Sequence, residues 1–135
     1  MTPILLHCCL AMAGPVTATL PEKLIEEGHW KRARAIVEPW IREKPDDALA
    51  NFLLSQIRSA FHDLHAPLGL AEKAVQLDGG ISKYHRQLAE VLGVTAQHSG
   101  MLQQLFLARR FKKEIDISLA EDAGDLQSLR DLMEF

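Results

Sequence analysis

Three side chains with metal-binding chemistry fall within the tetrapeptide His62-Asp63-Leu64-His65. Two imidazoles beside a carboxylate are groups that zinc accepts, so a metal-dependent enzyme built on His62, Asp63 and His65 is one reading. The chain carries no His-Glu-x-x-His pair and no cysteine pair at ligand spacing, and a polar turn between two helices accounts for the same residues. His85 lies between Lys83 and Arg86, where an imidazole could serve as a general base, but no nucleophile or partner acid stands at a matching spacing. A surface imidazole beside a packed Tyr84 is the simpler reading. The paired acids Glu26-Glu27, Asp46-Asp47 and Glu121-Asp122 mark element boundaries, where capping and turn formation explain them. Cys8 and Cys9 are the only thiols, and both lie in the N-terminal apolar run. These residues form no catalytic constellation, and the expectation is a protein that is not an enzyme and uses no cofactor or metal.

The composition agrees with a binding role. At 135 residues and 47% hydrophobic content, the chain holds enough apolar material for one core. Its formal charge of -3 lacks the basic excess that nucleic-acid binding needs. The cluster Arg109, Arg110, Lys112 and Lys113 is followed at once by Glu114 and Asp116, as on a solvated helix face. Residues 1–18 read as a signal peptide: an apolar stretch from Ile4 to Ala13, then Val16-x-Ala18 with small residues where a signal peptidase cuts. That stretch is shorter than the roughly 20 residues that span a bilayer, so no stable membrane insertion is expected. Cleavage after Ala18 implies a periplasmic or secreted protein; an uncleaved chain implies a cytoplasmic one. The alternative for this run is an apolar first helix.

The rest of the chain punctuates itself into helices. Thr19 and Glu22 form a capping box, and Gly28 ends the short helix that follows. Trp30, Ala33, Val37 and Trp40 make one helical stripe up to about Glu43, with Pro39 expected to kink it. An aspartate caps Ala48 to Phe61, which is apolar nearly all round. Pro67 opens a helix that Gly79-Gly80 breaks, and Ser82 caps the next, to about Thr95. Met101 to Ala120 reads as a longer helix, with Leu102, Leu105, Phe106, Ala108, Phe111, Ile115 and Leu119 at helical spacing. Arg110–Glu114 and Lys112–Asp116 are expected as surface pairs on that helix. Leu126 to Phe135 starts a further helix whose apolar Leu129, Leu132, Met133 and Phe135 lack a partner.

A shift of 34 positions maps Trp30 to Leu64, Ile36 to Leu70, Trp40 to Ala74 and Ile41 to Val75. With Gly28, Trp30, Ala33 and Pro45, and with Leu54, Leu88 and Ala89 at first-helix positions, residues 19–135 resemble bacterial tetratricopeptide-repeat proteins of an exported subgroup, whose period is about 34 residues. The resemblance implies an all-α, antiparallel helix-pair solenoid of about three repeats, the last helix unpaired. Pro67, Gly79 and a lengthened third repeat depart from the family pattern.

In such proteins the first helix of each pair lines a concave groove. Carried over, the groove positions are Leu49, Phe52, Gln56 and Ser59, then Lys83, Arg86 and Glu90. An apolar wall beside Lys83 and Arg86 suits an apolar peptide bearing one acidic group. The leading expectation is therefore a scaffold that binds a protein or peptide segment. The alternative is a self-assembling module, a homo-oligomer held through residues 126–135.

Overall fold

Gly28 has φ of +77°, a left-handed conformation that side chains with a Cβ adopt only under strain, and it reverses the chain between the first two helices. In the computed structural model, which describes residues 19–122 together with 130, 133 and 134, the chain is all-helical, with no strand among the described residues. The helices are α1 (Leu20–Glu26), α2 (Trp30–Glu43), α3 (Ala48–Ala60), α4 (Ala66–Leu77), α5 (Ser82–Gln97) and α6 (Met101–Glu121). Linkers of three to five residues fold each helix back against its predecessor. Beyond these sequence neighbours, α1 touches α3 and α3 touches α5. The signal-peptide reading of residues 1–18 and most of the helix expected from Leu126 lie outside the described residues; Arg130, Met133 and Glu134 are helical.

The caps follow from local chemistry. Glu22 accepts hydrogen bonds from both the amide (2.7 Å) and the hydroxyl (2.8 Å) of Thr19. Asp47 Oδ1 accepts from the Ala50 amide at 3.0 Å. Asp63 Oδ1 accepts from the amides of His65 and Ala66, opening α4. Helix α2 runs unbroken through Pro39. Ser82 is no cap: it is the first residue of α5, and its hydroxyl lies 2.9 Å from that of Ser118 on α6. Ser82 opposite Ser118 and His85 opposite Glu114 set an antiparallel register for α5 and α6.

The core is two clusters in succession. The first packs Ala33 and Val37 of α2 against Phe52, Leu53 and Ile57 of α3, with Leu24 of α1. The second packs Leu88 and Leu92 of α5 against Leu107, Phe111 and Ile115 of α6. Helix α4 serves both: Ala74 belongs to the first, Ala71 to the second, and Val75 packs on each. Trp30 and Trp40 are partly buried against the first cluster. Buried polar groups are partnered. Gln87 donates to Ser55 Oγ (3.1 Å), and Ser55 donates to the Pro67 carbonyl (3.0 Å), tying α5, α3 and α4 together.

Helix α6 corrects the sequence reading. Its buried face is Leu107, Phe111, Ile115 and Ser118, whereas Leu102 (85% exposed), Leu105 and Phe106 (61%) stand in solvent. At about 100° per residue the two sets lie on opposite sides of the helix, and among the described residues only the side of Leu107, Phe111 and Ile115 packs into a core cluster. The expected Arg110–Glu114 pair is absent too. Arg110 reaches Glu72 on α4 at 2.7 Å, and Glu114 turns to His85, while Lys112–Asp116 forms as expected at 2.7 Å. Ile115→Ala should therefore cost about 2–5 kcal/mol in a urea melt, while Leu105→Ala on the same helix should stay within about 0.5 kcal/mol. Equal losses would contradict this division of α6.

Candidate functional site

The expected groove residues part into separate settings. Phe52 is buried, with its ring centroid 4.9 Å from that of Tyr84, and Leu49 packs partly buried on the first cluster. The Lys83 ammonium lies over the Phe52 ring at 5.3 Å and donates to Glu22 Oε1 at 2.8 Å, bridging α5 to α1. With that carboxylate and the ring face as partners, Lys83 acts as a structural cation. Lys83 and Arg86 line a hollow at the start of α5, beside Glu121 and Asp122.

Gln56, Ser59 and Glu90 do come together. They line a depression of about 270 Å³ between the second half of α3 and the middle of α5, closed at one side by Trp30 from the start of α2. A second depression of about 300 Å³ adjoins it and shares Ser59, Val91 and Val94. Leu64, Pro67 and His98 carry that second depression to the α5–α6 turn. The two make one continuous groove, walled by apolar Val91, Val94 and Leu64. No lysine or arginine lines either depression, and their acids are Glu90 and Asp63. Hydrogen bonds from the His65 and Ala66 amides, with Arg58 nearby, hold Asp63 below the usual carboxylate range, so it stays charged at neutral pH. The positions carried over from the family resemblance included Gln56, Ser59 and Glu90. They missed Trp30, Val91 and Val94, because a groove wall on α5 and a lip from α2 depend on how the helices cross.

The His62–Asp63–His65 cluster does not converge as a metal centre. His62 and Asp63 line the groove, His62 with a φ of +58°, but Asp63 spends its Oδ1 on capping α4. Among the described residues no three histidine, cysteine or acidic side chains gather around one point. His85 is buried, not a surface imidazole as expected. Its Nδ1 lies 2.6 Å from Glu114 Oε2 and its Nε2 lies 2.8 Å from the Gly79 carbonyl, so the ring is a strut between α5, α6 and the α4–α5 turn. Both contacts are to oxygen, which leaves no nitrogen facing the groove.

Compared with known proteins, the chain matches no family model and no curated sequence. Fold alone assigns no chemistry, so the function has to be argued from the groove. Among the described residues no helix is long and apolar enough to cross a membrane.

The Lys83–Glu22 bridge has a consequence for acid stability. Partial burial pushes the Glu22 carboxyl up, but hydrogen bonds from Lys83 and from the Thr19 amide and hydroxyl outweigh it, and the pKa falls below the ordinary 4.5. A lowered folded-state pKa means that the folded protein binds the proton less readily than the unfolded chain. The stabilisation is then complete above about 4.5 and fades as pH drops through the lower folded value. In urea melts, the stability advantage of wild type over Glu22→Gln should be constant near neutrality and shrink in that acid range. An advantage that grows on acidification would refute the bridge.

Proposed function

We propose that this protein is a non-catalytic scaffold of the tetratricopeptide-repeat kind, and that it holds a segment of a partner protein in the groove between α3 and α5. The observation that carries the reading is the continuity of that groove: two adjoining depressions with a shared apolar wall, running from Trp30 to His98. The contacts of α1 with α3 and of α3 with α5 support the repeat arrangement, since the first helices of stacked pairs form the inner layer of such arrays. So does the succession of two core clusters linked through α4.

The groove's chemistry selects its guest. Its wall rewards apolar side chains, and its charged lining is acidic, so an apolar segment bearing a basic residue fits better than the acid-bearing peptide expected from Lys83 and Arg86. Helix-in-groove docking takes anchors at i, i+3 or i+4, and i+7, a spacing that a groove along α5 accommodates.

Peptides selected from a random display library on the full chain should carry apolar anchors and a lysine or arginine. Their affinity should fall at least about tenfold on Val94→Arg, a change at an exposed position that fills the groove with a bulky cation. In a Trp40→Phe background, the emission of Trp30 at the groove's edge should shift on binding. Selected peptides that bind Val94→Arg as tightly as wild type, or a selection that yields no binder, would overturn the reading.

A further inference from the structure

Gln87 lines the groove with its hydrogen-bonding capacity only partly used. It is 4% exposed, and its Nε2 donates to Ser55 Oγ at 3.1 Å. The next link fixes which way the amide points. The Ser55 hydroxyl gives its proton to the Pro67 carbonyl at 3.0 Å, so it accepts from Gln87, and the group that faces it is the NH2. One N–H and the whole of Oε1 are left over, and neither has a hydrogen-bond partner among the described residues. A buried acceptor without a donor is costly, and folded proteins keep few of them. Gln56, on the α3 side of the same depression, is half-buried, and its amide makes no hydrogen bond to another described residue. We infer that the guest of the groove presents an amide group, an N–H beside a C=O, to Gln87, and that this contact fixes where the guest sits. The inference rests on the groove reading above and names the polar part of its guest.

The chemistry left open on Gln87 selects among polar groups. A carboxylate brings only acceptors and would set an oxygen against Oε1. An ammonium brings only donors and leaves the spare N–H idle. Either ion would also have to shed its water beside Val91 and Val94, at far greater cost than an amide does. An amide supplies one donor and one acceptor and carries no charge. Two parts of a peptide contain it. An asparagine or glutamine side chain can present it from a helical guest, whose backbone groups are already paired within the helix. A backbone peptide group can present it where the guest runs extended. In both cases Trp30 at one side and the two valines along the wall keep water from the contact. A hydrogen bond made out of water discriminates sharply against a guest that lacks the group.

Peptides selected from the display library on the full chain supply the test. In each, every asparagine is replaced by leucine, every glutamine by methionine, and every backbone amide is N-methylated in turn. One position should lose at least about tenfold in affinity. A side-chain position means that the guest brings its own amide; a backbone position means that it binds extended. Gln87→Met keeps the volume of the side chain and removes its amide. On that variant the parent and the modified peptide should bind alike, whereas a merely structural role for Gln87 would weaken both by the same factor. Should Gln87→Met melt well below wild type, the wild-type chain gives the answer instead. The side-chain NH2 signals of Gln87 in an amide correlation spectrum should move with the parent peptide and stay in place with the modified one. Peptides that tolerate every replacement and every N-methylation, or that lose as much on Gln87→Met as on wild type, would overturn the inference. If such peptides still weaken on Val94→Arg, the groove reading stands without it; a selection with no binder removes both.

Discussion

Neither half of this molecule closes its own core. Helix α4 presents Ala74 to the cluster made by α1, α2 and α3, and Ala71 to the cluster made by α5 and α6, while Val75 touches both. Alanines suit that place because two neighbours can approach the helix closely, and both are buried with almost no accessible surface. Burial of apolar area on each side is what holds α3 and α5 at a fixed separation. That separation is the width of the groove. A change in how α4 packs would reach the groove without altering a residue that lines it.

Polar contacts then set the register that burial leaves loose. Apolar packing is non-directional, so by itself it lets helices slide and rotate. The Gln87–Ser55–Pro67 chain is directional, buried, and lies under the groove, with Gln87 and Pro67 among the lining. The Ser82–Ser118 and His85–Glu114 contacts do the same for α5 and α6. A buried polar group without its partner is costly, so these pairings exclude neighbouring registers more sharply than they add stability.

The residues that declare local structure were the most readable. Gly28, Asp47, Asp63 and Pro67 each act within a few positions of themselves, and the helices begin and end close to where those residues place them. The inward stripe of α2 was equally plain, because Ala33 and Val37 have neighbours on the face that the period selects. Helix α6 was misread for a definite reason. Its apolar residues fall on two opposite sides of the helix, and a list of apolar positions does not say which side a neighbour covers: the side of Leu107, Phe111 and Ile115 packs against α5, and that of Leu102, Leu105 and Phe106 is exposed. Ser82 and His85 failed likewise: their partners, Ser118 and Glu114, lie far along the chain.

The groove's charge shows the same limit at the level of function. Read along the chain, Lys83 and Arg86 are two cations on a first-helix face, and they point to an acidic guest. In the fold, Lys83 is drawn to Glu22, 61 positions earlier, and sits over the Phe52 ring, where an ammonium gains from both the carboxylate and the π face. That bridge ties α5 to α1 and leaves Lys83 outside the lining of both depressions. What remains along the continuous groove is apolar surface with Glu90 and Asp63. The charge of the guest proposed for this groove is therefore opposite to the one that Lys83 and Arg86 suggest when read along the chain. A single ion pair between distant residues thus ties the first helix to the fifth and gives Lys83 an intramolecular partner that its place in the sequence does not reveal.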